Sequence, residues 1–147
     1  MKLINAELKY FIDFVKNISL TGRESRMRSK LVKELIVKHD ELSENLTILY
    51  DKYCDIDGNG DKKIEVISAT QKKYIIENEE NKILLAKEVE GLYFDEVIID
   101  ETESMKEPMI IVRDAILNCN DEFSGDKAMM YDRFCEIVED VFATKSS

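Results

Sequence analysis

The sequence predicts a helix-dominated α+β fold in which a long antiparallel helical hairpin packs with a small antiparallel sheet and C-terminal helices. Three observations predict it. Only 5 glycines and 1 proline interrupt the 147 residues, so helices can be long. Apolar residues recur at helical spacing through most of the chain. Two short segments near the middle alternate between apolar and polar residues, which is typical of strands.

The hairpin is predicted by two apolar stripes. The first helix, residues 4–18, carries Ile4, Leu8, Phe11, Val15 and Ile18 at steps of three and four. The second helix runs from about Arg23 to Cys54, where neither Pro nor Gly occurs. Its stripe consists of Met27, Leu31, Leu35, Leu42, Leu46, Leu49 and Tyr53. Because residues 19–22 form only a short turn, the two helices are expected to fold back antiparallel.

The rest of the chain is predicted to alternate short strands and helices. Strands are expected over residues 63–67, 73–77 and 94–100, which together would form one sheet of about three strands. A helix over residues 78–93 separates the last two strands, and its inward residues are expected to be Ile83, Leu84, Val89 and Leu92. Residues 101–107 are predicted to be an acidic loop.

Two C-terminal helices complete the prediction. Pro108 is expected to open the first of them, because proline suits the first helical turn, and this helix runs to about Asn118. The second runs from Lys127 to Phe142, and residues 144–147 are expected to be frayed. The chain is interpreted as one domain, 1–147. Its parts are the hairpin (1–54), the sheet with a short helix (55–100) and the C-terminal helices (108–143).

A polar segment after the hairpin resembles half of a calcium site. Asp55, Asp57 and Asn59, followed by Gly60, match the first six positions of an EF-hand loop, which supplies oxygen ligands at alternate positions. The twelfth position should be a bidentate Glu but is Val66. Calcium is the one cofactor that the pattern suggests. The missing half favours the alternative, a polar turn that leads into a strand.

Charge is distributed unevenly along the chain, whose net charge is −10. Residues 1–76 contain 14 Lys/Arg against 12 Asp/Glu, whereas residues 77–142 contain 6 against 19. The start of the second helix concentrates the basic residues Arg23, Arg26, Arg28, Lys30 and Lys33. The cluster is interpreted as a partner-binding element, and the favoured explanation is that it pairs with the acidic C-terminal half, within the chain or between copies. Nucleic acid is disfavoured, because aromatic residues are not interleaved and the net charge repels it.

Residue types that enzymes require are scarce. His39 is the single histidine, and no serine elbow or phosphate-binding glycine loop accompanies it. The three cysteines, Cys54, Cys119 and Cys135, lack zinc or disulfide spacing and are expected to be free thiols. The sequence therefore favours a non-enzymatic protein without a resident cofactor.

No apolar run approaches the length that a bilayer requires, and the first residues do not have the pattern of a signal peptide. The expected location is the cytoplasm.

Two segments resemble a small family of uncharacterised tailed-bacteriophage proteins. They are Leu20 to Leu31, which opens the long helix, and Phe123 to Phe134, which contains Ser124-Gly125 and Tyr131-Asp132. The turn at Asn59-Gly60 lies between them, as in that family. The resemblance implies a phage or prophage origin in Gram-positive hosts, with no assigned activity. It places the protein in the host bacterial cytoplasm or in association with the virion.

Two functions are therefore expected, from different classes. The favoured one is a phage protein that binds other proteins, phage or host, as a structural or accessory part of particle assembly or of the late gene cassette, with self-association through the hairpin as a further expectation. The alternative is an acidic inhibitor of a host defence or nucleic-acid enzyme, with carboxylates that imitate phosphates. An inhibitor requires its acids on one continuous face, whereas an assembly part requires an exposed apolar patch.

Overall fold

The fold is helix-dominated α+β, as predicted, with one long helix and small antiparallel sheets. A computed structural model describes residues 1–143, so the predicted fraying of residues 144–147 lies outside the described part. A 3₁₀ turn, Asn5–Glu7, joins the first strand to the first helix. The helices are α1 (Leu8–Lys16), α2 (Gly22–Tyr53), α3 (Glu79–Phe94), α4 (Glu103–Leu117) and α5 (Asp126–Glu139). The strands are β1 (Lys2–Ile4), β2 (Ile64–Val66), β3 (Lys72–Tyr74) and β4 (Glu96–Ile98).

The chain folds into two compact units. The first contains Met1–His39 and the chain from Glu96 onward, and the second contains Asp40–Asp95. The boundary after His39 lies inside the continuous helix α2, so no linker sequence marks it. Helix α2 therefore contributes its first part to one unit and its second part to the other.

The first unit holds most of the buried apolar side chains. The spacing within α1 correctly predicts its buried face, where Leu8, Phe11 and Val15 are inaccessible to solvent. Phe11 lies against Phe134 of α5, with ring centroids 5.6 Å apart. Helices α4 and α5 pack closely on each other. Other fully buried side chains of this unit are Leu3, Leu31, Leu35, Met109, Val112, Ile116 and Val138.

The strands form two separate two-stranded antiparallel sheets, rather than the single sheet expected from the sequence. β2 pairs with β3, so that Ile64 lies opposite Tyr74. β4 pairs instead with β1, which the sequence prediction missed, and Leu3 lies opposite Val97. Strand β1 has three residues, too few to show alternation. Its partner β4 is far away in the sequence, so short-range pattern contains no signal for this pairing.

Helix α4 begins before Pro108, which corrects the predicted acidic loop over residues 101–107. The helix starts at Glu103, after Thr102 as N-cap, and Pro108 lies inside it. Proline has no N–H, so it cannot donate to the carbonyl of Ser104 as a regular residue would. Pro108 is fully buried. Burial of its ring offsets part of the cost of the missing bond.

The second unit has a thin apolar core. Its buried apolar residues are Leu42, Tyr53, Cys54 and Leu85. Asn78 caps α3 by accepting a hydrogen bond from the Asn81 N–H at 3.0 Å. The inward face of α3 consists of Leu85 with half-buried Val89 and Leu92. The prediction was correct for Val89 and Leu92. It was wrong for Ile83 and Leu84, which are exposed.

Candidate protein-binding surfaces

Four of the five clustered basic residues form one row on α2. Arg23, Arg26, Lys30 and Lys33 are spaced by three, four and three positions, which places them on one side of a helix. All four are exposed. The buried residues Leu31 and Leu35 turn well away from this side, toward the core. We call the four residues the basic stripe.

The stripe is partly neutralised at its first residue. Arg23 forms an ion pair with Glu107 of α4, and both side chains remain substantially exposed. The hydrogen bond from Arg23, together with the charges of Arg23 and Lys30, holds the pKa of Glu107 below its ordinary value. No ion pair involves Arg26 or Lys33 within residues 1–143. Basic charge is therefore left over along the rest of the stripe.

Arg28, the fifth basic residue, has a different environment and is half-buried. Its Nη1 donates to the carbonyls of Val15, at 3.3 Å, and Ile18, at the C-terminal end of α1. Its Nη2 donates to Ser25 Oγ at 2.8 Å. The Val15 carbonyl also accepts from the Ile18 N–H at 3.4 Å, so Arg28 adds a second donor to the turn that ends α1. Arg28 therefore ties the beginning of α2 to the end of α1.

The stripe continues into exposed apolar surface. Val37 follows Lys33 by four positions, so it extends the same row, and 52% of its surface is exposed. Ile36 beside it is also exposed. Of the side chains on this surface, arginine is the one that is enriched where proteins bind one another, whereas lysine is depleted there.

The candidate calcium residues are arranged as a hydrogen-bonded turn. Asp57 Oδ1 accepts from the backbone N–H of Asn59, at 2.8 Å, and of Asp61, at 3.1 Å. Asp55 Oδ2 accepts from the Glu77 N–H at 3.1 Å. Two of the three candidate ligands thus already act as acceptors for backbone N–H groups, as Asp commonly does in turns. Within residues 1–143, no group of three or more His, Cys, Asp or Glu side chains could hold a metal ion.

An aromatic groove that sequence reasoning did not identify lies between α1 and α5. Its volume is about 480 Å³. The rings of Phe123 and Tyr131 are stacked with centroids 4.6 Å apart, and Phe14 lies against both. Tyr131 donates its hydroxyl proton to the Ile116 carbonyl at 2.7 Å. Burial and a hydrogen bond with Cys135 raise the pKa of Tyr131 to about 12. A second apolar side of α1, marked by Phe14, was the available sequence signal.

The acidic residues near the end of β4 and on α5 do not form an uninterrupted anionic face. Asp100, Glu101, Glu136 and Asp140 surround a depression of about 440 Å³, but Lys2 and Arg133 line it as well. Glu101 accepts hydrogen bonds from the N-terminal amino group, at 3.5 Å, and from the Phe142 N–H. Glu136 accepts one from Arg133. Two of these four carboxylates, those of Glu101 and Glu136, therefore already accept hydrogen bonds from within the chain.

The remaining candidate residues are dispersed. His39 is half-buried on α2. Cys54 is buried, Cys119 and Cys135 are half-buried, and all three are free thiols. Within the described part of the chain, no helix is both long and apolar enough to span a bilayer.

Comparison with known proteins gives no relative. No family model, no curated protein and no solved structure matches the chain.

Proposed function

We propose that this chain is a non-enzymatic phage or prophage protein that acts by binding another protein. It would be a structural or accessory part of particle assembly or of the late gene cassette. The proposed location is the cytoplasm of the bacterial host or the virion. The phage origin rests on the two segments, Leu20 to Leu31 and Phe123 to Phe134, that resemble a tailed-phage family.

One observation supports the binding role most directly. The basic stripe leaves Arg26, Lys30 and Lys33 on the exposed side of α2 without ion pairs inside residues 1–143. Like charges three or four positions apart on a helix, as in this row, repel one another by a few tenths of a kcal/mol per pair. An acidic partner surface would relieve this repulsion and would cover the adjoining Val37. The partner is therefore expected to present carboxylates beside an apolar patch.

The alternative, an acidic inhibitor that imitates nucleic acid, receives less support from the surface. Its carboxylates would need to follow one another without interruption, as phosphates do. In the first unit Arg133 and Lys2 lie among the acidic residues instead. The identity of the captured protein, a virion protein or a host enzyme, distinguishes the two functions.

Self-association through the hairpin was the further expectation from the sequence. The leucines that suggested it in the first unit, Leu31 and Leu35, are covered within the chain. A contact between copies through α2 would have to use its exposed apolar residues instead, such as Val37 and Ile48. A separate contact, on α3, is proposed in the next subsection.

Affinity capture tests the proposed function. The tagged chain would be recovered from cells that carry the gene, before and after phage induction. The expected result is co-purification of virion or late-gene proteins, and its loss in Lys30→Glu/Lys33→Glu. The matched control is Lys9→Glu/Lys16→Glu, which reverses two exposed lysines on one side of α1 and should leave capture unchanged. Recovery of a host nuclease or defence enzyme by both variants would favour the alternative.

A further inference from the structure

Helix α3 is apolar on two opposite sides. One side, with Leu85, Val89 and Leu92, faces the core of the second unit. The other side exposes 68% of Ile83 and 66% of Phe94. Removing exposed isoleucine and phenylalanine side chains from water is favourable, by about 25 cal/mol per Å² of apolar surface. The outer side of α3 is therefore expected to have a cover.

The residues of this outer side are arranged symmetrically about a point in the second half of α3. Four pairs are each equally distant from the point between residues 88 and 89. These pairs are Ile83 with Phe94, Leu84 with Tyr93, Ala86 with Gly91, and Lys87 with Glu90. At 100° per residue, Ile83, Lys87, Glu90 and Phe94 form the centre of the outer side, and the others flank it.

We propose that the outer side of α3 binds the same side of a second copy of this chain, antiparallel and about a two-fold axis. In such a contact, residue i of one copy meets residue j of the other, and j meets i. The symmetry of α3 then places Ile83 against Phe94 of the second copy. Lys87 lies against Glu90 of the second copy, and the same pair forms again on the other side of the axis.

Charge complementarity favours a second copy over an unrelated occupant. Lys87 and Glu90 are exposed, and neither forms an ion pair within residues 1–143. An acidic partner would leave Glu90 repelled, and a basic partner would do the same to Lys87. An antiparallel copy of this same helix pairs both charges at once, because its symmetry supplies one acid and one base at the required positions.

Small residues allow the helices to approach. The antiparallel arrangement brings Leu84 beside Gly91 of the second copy and Tyr93 beside Ala86. The space around Gly91 is open, with no heavy atom within 4 Å of a Cβ added there. A glycine on the contact side of a helix leaves room for a large side chain of the partner. Gly91 thus has a packing role here, although it lies in a helix interior where glycine is unfavourable.

The expected dimer is of moderate affinity. Helix α3 has 16 residues and is therefore about 24 Å long. One helix from each copy buries less than the roughly 800 Å² per partner of a standard interface. We expect a dissociation constant in the micromolar range, so self-association should depend on concentration.

The first experiment measures the mass of the full chain by sedimentation equilibrium from about 1 to about 300 µM, a range that brackets micromolar dissociation. Wild type should shift from monomer toward dimer across this range. Phe94→Glu should remain monomeric, because it places a carboxylate against Ile83 of the second copy. A wild-type chain that stays monomeric at the highest concentration overturns the proposal.

Charge reversal supplies the second experiment, which does not depend on changing an apolar residue. Lys87→Glu leaves two carboxylates on the outer side of α3, and Glu90→Lys leaves two ammonium groups there. Like charges then face each other across the contact, so each variant alone should dimerise at least tenfold more weakly. An equimolar mixture of the two should form a heterodimer, because each copy then supplies the charge that the other lacks. The double variant Lys87→Glu/Glu90→Lys should dimerise as wild type does. Circular dichroism establishes that each variant is folded.

The control uses matched charge reversals in the first unit, Lys9→Glu and Glu139→Lys, both at exposed positions. Neither should alter self-association, alone or mixed. A dimer that forms equally in Lys87→Glu, in Glu90→Lys and in the double variant would place the contact elsewhere and would overturn the proposal.

Discussion

Arg133 and Glu7 form a two-bond ion pair between side chains 126 positions apart in the chain. Arg133 Nε donates to Glu7 Oε2 at 2.6 Å, and Nη2 donates to Oε1 at 3.2 Å. The same carboxylate accepts from the Ile4 N–H at 2.9 Å. Glu7 thus joins α5 to the 3₁₀ turn that follows β1. The pair fixes the N-terminal segment onto the C-terminal helix.

The first prediction concerns the strength of this pair. A double-mutant cycle with Glu7→Gln and Arg133→Gln should give a coupling free energy of about 1 kcal/mol, measured by urea unfolding. The two-bond geometry favours the upper part of the range for surface pairs. Solvent screening limits it, because the Arg133 side chain is 41% exposed.

The control for that cycle is the exposed pair Lys82 and Glu79 on α3, whose carboxylate is 81% exposed. Its coupling should be no more than about 0.5 kcal/mol. Equal coupling free energies in the two cycles would show that the two-bond geometry of Arg133 does not strengthen the ion pair.

Acid should destabilise the protein through the two carboxyl groups of Glu7 and Glu101. Burial raises the pKa of Glu7, but hydrogen bonds from Arg133 and Ile4, with the charge of Arg133, lower it more, and the net pKa lies below 4.5. The hydrogen bond from the Phe142 N–H and the N-terminal ammonium group lower the pKa of Glu101, against a smaller opposing effect of burial. A lowered folded-state pKa contributes stability that is fully present above the unfolded-state pKa.

The free energy of unfolding should therefore be insensitive to these groups near neutral pH and should fall as the pH drops below about 4.5. Glu7→Gln should flatten this fall, since its neutral amide cannot titrate. Urea unfolding at a series of pH values between about 3 and about 7 measures the effect. A variant with the same pH dependence as wild type would show that Glu7 is not linked to acid unfolding.

Local pattern predicted the helices better than it predicted the pairing of strands. The long helix was expected over 23–54 and extends from Gly22 to Tyr53, because a run without Pro or Gly and with regular apolar spacing is unambiguous. Pro108 misled the prediction, because a buried proline is accepted inside α4. The pairing of β1 with β4 joins segments that are far apart in the sequence, and short-range pattern does not reveal such contacts.

For the candidate surfaces, too, local sequence predicts some features and not others. Sequence spacing alone places Arg23, Arg26, Lys30 and Lys33 on one side of a helix. It does not show that Arg28 is used at the end of α1, because that requires the position of the Val15 carbonyl. The aromatic groove likewise depends on how α5 brings Tyr131 to Phe14.

The turn at Asp57 supplies the third prediction. Asp57→Ala should lower the free energy of unfolding of the second unit by about 1 kcal/mol, because two backbone N–H groups lose their acceptor. Calcium at about 1 mM, a concentration that would fill a weak site, should leave the melting temperature of wild type unchanged. The turn then acts as a hydrogen-bonded structural element.

Asn59→Ala is the matched change, since Asn59 contributes its backbone N–H rather than its side chain to the bond with Asp57. It should alter stability less than Asp57→Ala does. A calcium-dependent rise in melting temperature that both variants abolish would instead establish the loop as a cation site.

The last prediction separates the structural arginine of α2 from the exposed one. Arg28→Ala removes the donors to the carbonyls of Val15 and Ile18 and should lower the free energy of unfolding by about 1 to 2 kcal/mol. Arg26→Ala, two positions away and exposed, should change it by less than about 0.5 kcal/mol. Urea unfolding followed by circular dichroism measures both.

The two variants should rank in the opposite order in affinity capture. Arg26→Ala weakens partner recovery because its guanidinium is part of the basic stripe, whereas folded Arg28→Ala retains that stripe. The contrary result would be an equal loss of capture by both variants at temperatures where both are folded. That result would mean that the partner binds the total charge of the cluster and not the residues on one side of the helix.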